Sequence, residues 1–187
     1  YTAYEEQDVL PWFPKPHPSI LEKVATFREE YFFPHTIGLH IRRTDNIRSI
    51  LRSPNKAYFK RADRLVDSGC HLFLATDNQE TLQLVRQRYG KKLIHYPKSS
   101  DLESRWPRNS SSTQDIIDDM VDLWLLASCE YVIGSRGSSY SRVAILINGS
   151  PECEAINDPW GMLHYSFIRA RMLGQRLCHR HSHKSKA

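Results

Sequence analysis

The chain has 187 residues, 40% hydrophobic and 25% charged, with a formal charge of +5. That composition supports one sizeable core and excludes collagen, coiled coil and disorder as organising themes. No apolar run reaches the length of a membrane span and no basic-then-apolar leader opens the sequence, so no transmembrane segment or signal is expected within it; because it starts at Tyr1, it reads as a piece of a longer protein.

The charge is unevenly placed. Arg169, Arg171, Arg176, Arg180, Lys184 and Lys186 lie beyond Ile168 with no acid among them, leaving 20 basic against 21 acidic residues in the body. A basic terminus of this kind is ordinarily solvated, so nucleic-acid binding is not expected, and His179, His181 and His183 are weak metal candidates. Cys70, Cys129, Cys153 and Cys178 show neither a C-x-x-C pair nor zinc-ligand spacing. Asn109-Ser-Ser and Asn148-Gly-Ser fit the glycosylation acceptor pattern, the second followed directly by Pro151.

In chain order, a proline- and aromatic-rich opening gives way to a helix over Ser19 to Phe32, with Ile20, Val24 and Phe27 at helical spacing. A first strand, "TIGLHI" (Thr36 to Ile41), is followed by a polar loop to about Asn55 and a helix through Phe59, Ala62, Leu65 and Val66. A second strand, Cys70 to Thr76, runs into "TDNQE", where Asp77 and Glu80 suggest a capping-box start for a helix that ends at Gly90. A third strand is expected over Lys92 to Tyr96, then a long polar stretch containing Trp106-Pro107, then a helix from Gln114 to Ser128. "EYVIG" (Glu130 to Gly134) is the fourth strand; "SRGSS" opens the helix "SYSRVAILIN", and "ECEAIN" is a possible fifth strand. The predicted organisation is an N-terminal stub and linking helix over 1–35, a Rossmann-like domain over 36–167 and a basic tail over 168–187.

Strands alternating with helices imply a parallel sheet in a three-layer αβα domain. In doubly wound sheets, strands one and four usually lie side by side, and ligands bind beyond their carboxyl ends. That rule joins Arg42 and Arg43, after strand one, to Ser135-Arg136-Gly137-Ser138-Ser139, after strand four. A helix start rich in Gly and Ser offers free N–H groups and a partial positive charge, and arginine forks opposite it complete a diphosphate clamp. A salt bridge to Asp45 for the arginines, simple capping for the serines and a hydrogen-bonded core role for His40 are the plain alternatives. No Walker lysine and no G-x-G-x-x-G are present. On the fourth helix Asp115, Asp118, Asp119 and Asp122 share a face opposite Ile116, Ile117, Met120, Leu123, Trp124 and Ala127, so they read as a solvated polar face and not a metal site.

"HIRRTDN", "LFLATDN" and "VDLWLLASCEYVIGSRGSSYSRVA" resemble, in that order, the three conserved segments of the superfamily of α1,6-fucosyltransferases, protein O-fucosyltransferases and rhizobial nodulation fucosyltransferases; the match spans roughly Ile37 to Ile147. The resemblance implies the C-terminal, GDP-fucose-binding half of a GT-B glycosyltransferase, inverting and metal-independent, with no cofactor beyond the donor substrate. Arg42 and Arg43 would hold the diphosphate, and one of them would stabilise the leaving GDP as the glycosidic bond breaks. His40 and Asp122 would lie near the guanosine, Asp77 would contribute to the nucleotide side, and Gly137, Ser138 and Ser139 would bind phosphate. The expected partners are GDP-fucose, a glycan or protein acceptor and the N-terminal acceptor domain of the parent protein. The compartment would be the Golgi or ER lumen in a eukaryote and the cytoplasm in a bacterium. In the core-fucosylating branch a lysine follows the motif aspartate and a glutamate stands ten residues after the motif histidine; here those places hold Asn46 and Ile50, while Gly137 replaces a serine and Arg136 an aromatic. A hydrocarbon cannot take a proton, so the base lies elsewhere or the acceptor chemistry differs. The alternative is a non-catalytic module of the same fold that binds a nucleotide or glycan.

Overall fold

A computed structural model describes residues 15–100, 102, 112–158, 160 and 163. The proline-rich opening, the segment holding Trp106 and Asn109, and the basic tail with Cys178 lie outside the described residues.

Helix α1 (Pro18–Tyr31) leads into strand β1 (Thr36–Ile41), and the next segments are α2 (Ile47–Arg52), α3 (Asn55–Asp67), β2 (His71–Thr76), α4 (Gln79–Tyr89) and β3 (Leu93–Ile94). A long connection then reaches α5 (Thr113–Ala127), β4 (Val132–Ser135), α6 (Ser139–Asn148) and β5 (Glu154–Ile156). The sheet is parallel in the order β3-β2-β1-β4-β5, so β1 and β4 do lie side by side where the winding reverses.

β1 is buried along its whole length because helices cover both faces of the sheet. Ile37, Leu39 and Ile41 point into one core with Tyr58 and Ala62 of α3 and Leu82 and Val85 of α4. The opposite core joins α1 (Ile20, Val24, Phe27) and α5 (Val121, Leu125, Leu126) to Phe73, Val132 and Ala144. Gly38 faces α5, and a Cβ there would stand 2.8 Å from Leu126 Cδ1, so the missing side chain is what lets α5 lie so close to the strand.

Three local expectations change. The loop after β1 is not continuous coil: Asn46 accepts from Ser49 N–H and starts the short helix α2. The cap of α4 is Asn78, which accepts from Thr81 N–H at 2.8 Å, and not Asp77, whose carboxylate turns back to β1. The third strand shrinks to Leu93–Ile94 because this edge pairs only with Leu72 and Phe73. The acceptor-pattern Asn148 turns its side-chain amide inward, donating to the carbonyls of Ala127 and Cys129 at 2.9 and 2.7 Å.

Candidate functional site

The crevice is built where β1 and β4 end together. Ser135, the last residue of β4, donates from Oγ to the His40 carbonyl at 3.0 Å and accepts the Arg42 N–H at 3.0 Å, while Tyr58 Oη lies 2.7 Å from the same hydroxyl and donates to the His40 carbonyl at 2.9 Å. Burial raises the Tyr58 phenol above its ordinary value, so it stays a neutral donor. Asn46 Nδ2 donates to the Gly137 carbonyl at 2.9 Å and ties the two loops together. The result is a cavity of about 350 Å³ lined by Arg42, Asp45, Asn46, Leu123, Ser138, Ser139, Tyr140 and Val143. Larger concavities of about 540 and 470 Å³ lie at the amino end of the sheet and beside β3, but neither faces a helix N-terminus with a buried arginine, so chemistry and not size selects the site.

The adjacent arginines have different duties. Arg42 is buried at the cavity wall; its guanidinium holds Asp45 through Nε and Nη2 and reaches Asp77 from Nη1 at 3.0 Å. The Asp45 salt bridge, the plain alternative to the clamp, is therefore present, on the arginine that faces the cavity. Arg43 turns away: it donates to the carbonyls of Arg42 and Ser53, both at 2.7 Å, and from Nε to Asn55 Oδ1 at 2.7 Å, with its fork 5.8 Å above the Tyr58 ring. Burial lowers the Arg43 guanidinium from its ordinary value, with Tyr58 and Asp77 opposing. Asp77 accepts the N–H of Arg43 at 2.8 Å and the hydroxyl of Thr44 at 2.5 Å, so it anchors the turn after β1 from the neighbouring strand end.

On the α6 side Ser138 is buried and caps the helix, accepting from Ser141 N–H at 3.5 Å, while Ser139 and Gly137 are exposed at the rim. Arg136 is exposed as well, and its N–H donates to Ser53 Oγ at 2.9 Å. His40 is buried among β1, α6 and Tyr140, whose ring centroid is 4.7 Å away. Burial carries its imidazole down to about 3, helped by the nearby charges of Arg42, Lys98 and Arg43 and opposed by Asp77.

The aspartates of α5 depart most from expectation. Asp115, Asp118 and Asp122 are buried, and Ile116, assigned to the apolar stripe, is 59% exposed. The polar face turns inward because the loop after β3 docks on it. Lys98 Nζ lies 3.1 Å from Asp119 and 3.0 Å from Asp122, the Ser99 N–H reaches Asp118 at 2.7 Å, and Ser100 donates to Asp115. Burial pushes the Lys98 ammonium down, but the two carboxylates outweigh it and hold it above its ordinary value. Among the described residues no three His, Cys, Asp or Glu side chains converge as a metal-binding group. Sequence reasoning missed Lys98, Tyr58, Tyr140 and Ser141. Only Ser141 left a trace, as a serine continuing the run from Ser138 into the helix.

Parallel strands in this order, helices on both faces and a polar crevice at the reversal define a Rossmann-like α/β domain. Its fold is fucosyltransferase-like. POFUT1 in complex with GDP superposes with a TM-score of 0.52 at 10% identity over 75% of this chain and 46% of that one. POFUT1 in complex with GDP-fucose gives 0.50 at 12% over 75% and 46%. NodZ α1,6-fucosyltransferase soaked with GDP-fucose gives 0.48 at 22% over 71% and 43%. The chain spans less than half the length of each of these proteins. No protein-family model and no curated protein sequence matches it. Among the described residues no helix is long and apolar enough to cross a membrane.

Proposed function

We propose that this chain is the donor-binding domain of a fucosyltransferase-like glycosyltransferase that binds GDP-fucose and releases GDP by inverting transfer to an acceptor hydroxyl. The observation that carries the proposal is Arg42, a buried guanidinium facing the capped start of α6 across a 350 Å³ cavity. As the bond between the sugar's anomeric carbon and the β-phosphate oxygen breaks, that oxygen keeps the electron pair and the diphosphate gains charge. A preorganised arginine fork and helix N–H groups stabilise that charge. In this reading Arg42 supplies the electrostatic stabilisation and requires no metal, and Ser138, Ser139 and the Gly137 backbone hold phosphate. His40 and Asp122 serve the guanosine, and Asp77 and Arg43 shape the loop that presents Arg42. Asp45 shares the Arg42 fork in the free chain, and an incoming phosphate competes with it for the same donors. Ile50 is half-buried on α2, so the proton of the acceptor hydroxyl leaves to a base supplied outside this site, for which the acceptor-binding half of the parent protein is the source we favour.

Calorimetric titration of GDP tests the reading. Binding that ADP and UDP do not reproduce, weakened at least tenfold (about 1.4 kcal/mol) in Arg42→Ala, supports it. A folded chain that ignores GDP removes it. The missing carboxylate at position 50 favours a second reading, a non-catalytic nucleotide-binding module, which predicts GDP binding here with no fucose transfer by the whole parent protein.

A further inference from the structure

We infer that Ser141 is a positioning residue that fixes His40 as the neutral Nε2–H tautomer, so that the ring offers a hydrogen-bond donor to the nucleoside part of a bound nucleotide. The ligand in this inference rests on the function proposed above; the tautomer rests on the geometry of the free chain.

Ser141 is the third residue of α6 and is buried. Its Oγ lies 2.7 Å from the Ser135 backbone nitrogen, which can only donate, and 2.5 Å from His40 Nδ1. With one lone pair of the oxygen given to the Ser135 N–H, the hydroxyl proton needs an acceptor, and Nδ1 is the one that the described residues provide. A lone pair on Nδ1 satisfies both groups at once, and a neutral imidazole then carries its single proton on Nε2. The opposite assignment, a proton on Nδ1, would make Oγ accept twice and strand its own proton in a buried place. A doubly protonated ring fails for the same reason, in line with the lowered basicity that burial imposes and Arg42, Lys98 and Arg43 reinforce against Asp77.

The contact is built by the backbone. A Cβ at Gly134 would stand 2.6 Å from Ser141 Cβ, so a side chain on β4 at this point would push α6 away and break the link. At the other end of the ring Nε2 has no partner among the described residues and is not fully enclosed, in a residue that is 3% exposed overall. Beside it stands Tyr140, whose ring also lines the cavity. A nitrogen fixed as N–H there binds acceptors and rejects donors, which makes the Ser141 hydroxyl a determinant of which nucleotide edge is accepted.

Long-range 1H–15N correlation of the imidazole rings of the 15N-labelled chain tests this, with His40 assigned by loss of its signals in His40→Gln. The expected wild-type result is a protonated Nε2 and an unprotonated Nδ1, unchanged between pH 7.5 and 5. A proton on Nδ1, or averaging of the two forms, overturns the inference without reference to any ligand. Ser141→Ala is expected to give mixed tautomers and at least fivefold weaker GDP binding; retention of the single Nε2–H form overturns the role of Ser141. Should that variant not fold, the wild-type spectrum still decides the tautomer, and Ser141→Cys, a weaker donor of similar size, reads the role of Ser141 by the same mixed-tautomer signature. With GDP added, Nε2 should shift, while inorganic pyrophosphate should leave it in place. GDP that binds by calorimetry yet leaves Nε2 unmoved defeats the ligand half of the inference. An Nε2–H ring that Ser141→Ala turns into mixed tautomers, in a chain that does not bind GDP, upholds Ser141's hold on the tautomer and removes the proposed function.

Discussion

Two loops leave the same edge of the sheet, after β1 and after β3, and both are fastened by cations turned inward. After β1 the fastener is Arg43, which spends its fork on the carbonyls of Arg42 and Ser53 and on Asn55. After β3 it is Lys98, which sits between Asp119 and Asp122 of α5. The difference is what remains. Neutral partners hold Arg43, and Arg42, like Lys98, is paired with two carboxylates, Asp45 and Asp77, but its guanidinium lines the cavity beside the start of α6, where an anion can compete for it. Positive charge at the carboxyl edge is therefore not itself a site, and the direction in which backbone carbonyls draw each cation decides which arginine can meet an anion.

The sharpest way to break this comparison is at Asp122. Asp122→Ala leaves the Lys98 ammonium buried with one carboxylate fewer, and removing one member of a buried pair typically costs about 3–5 kcal/mol. Urea denaturation should show the loss directly. The double variant Lys98→Met, Asp122→Leu replaces the pair by hydrocarbon and should recover most of it, because the desolvation penalty disappears with the charges. A double variant as unstable as the single one would mean that the pair is held by more than its own charge balance.

At the other loop, exchange of roles between the arginines is the next test. Arg43→Ala removes charged hydrogen bonds to two carbonyls and an amide and should cost about 2–3 kcal/mol of stability, read by the same denaturation curves. Arg42→Ala removes a buried guanidinium from Asp45 and Asp77 and should cost about 1–3 kcal/mol, eased because Asp77 keeps its backbone partners, while it takes the larger share of GDP affinity. Equal effects of the two variants on both readouts would erase the distinction.

Acid reaches both loops at once. His40 and His95 are held neutral by burial, near 3 and near 4, against an ordinary value of 6.5. Between these limits the unfolded chain binds more protons than the folded one, so stability is complete above about pH 6.5 and falls as the pH drops towards the folded values. His40 alone should cost about 2 kcal/mol between pH 6.5 and 5. His40→Gln should flatten that slope, measured as the pH dependence of the urea midpoint. An unchanged slope would place the ring in solvent.

How far the sequence could be read follows the same division. Strand order and layers were legible because hydrophobic runs alternate with amphipathic helices and the winding rule places β1 beside β4. The two loops could be brought together from the sequence because Arg42 follows directly on β1 and Ser138 lies in the short turn between β4 and α6. What failed was any inference needing a partner from afar. The inward turn of Asp115, Asp118 and Asp122 depends on Lys98, Ser99 and Ser100, a stretch without periodicity that gives no sign of docking on α5. Arg42 and Arg43 are neighbours of one type, and their separation was hidden because a carbonyl acceptor leaves no mark on a sequence.

The smallest effect tests the point where the helix cap was placed one residue too early. Asn78, not Asp77, accepts the Thr81 N–H, and its Oδ1 also accepts the Thr81 hydroxyl at 2.7 Å. Loss of such a cap costs about 1 kcal/mol. Asn78→Ala should therefore lower the urea midpoint slightly and leave GDP affinity unchanged, because nothing on the β1 loop bonds to that side chain. Asp77→Ala should do the reverse in proportion, spoiling affinity more than stability, since the Arg43 and Thr44 amides, the Thr44 hydroxyl and the Arg42 guanidinium all converge on its carboxylate. If Asn78→Ala weakened GDP binding as much as Asp77→Ala, the start of α4 would belong to the site and the division between anchoring and capping at this strand end would be wrong.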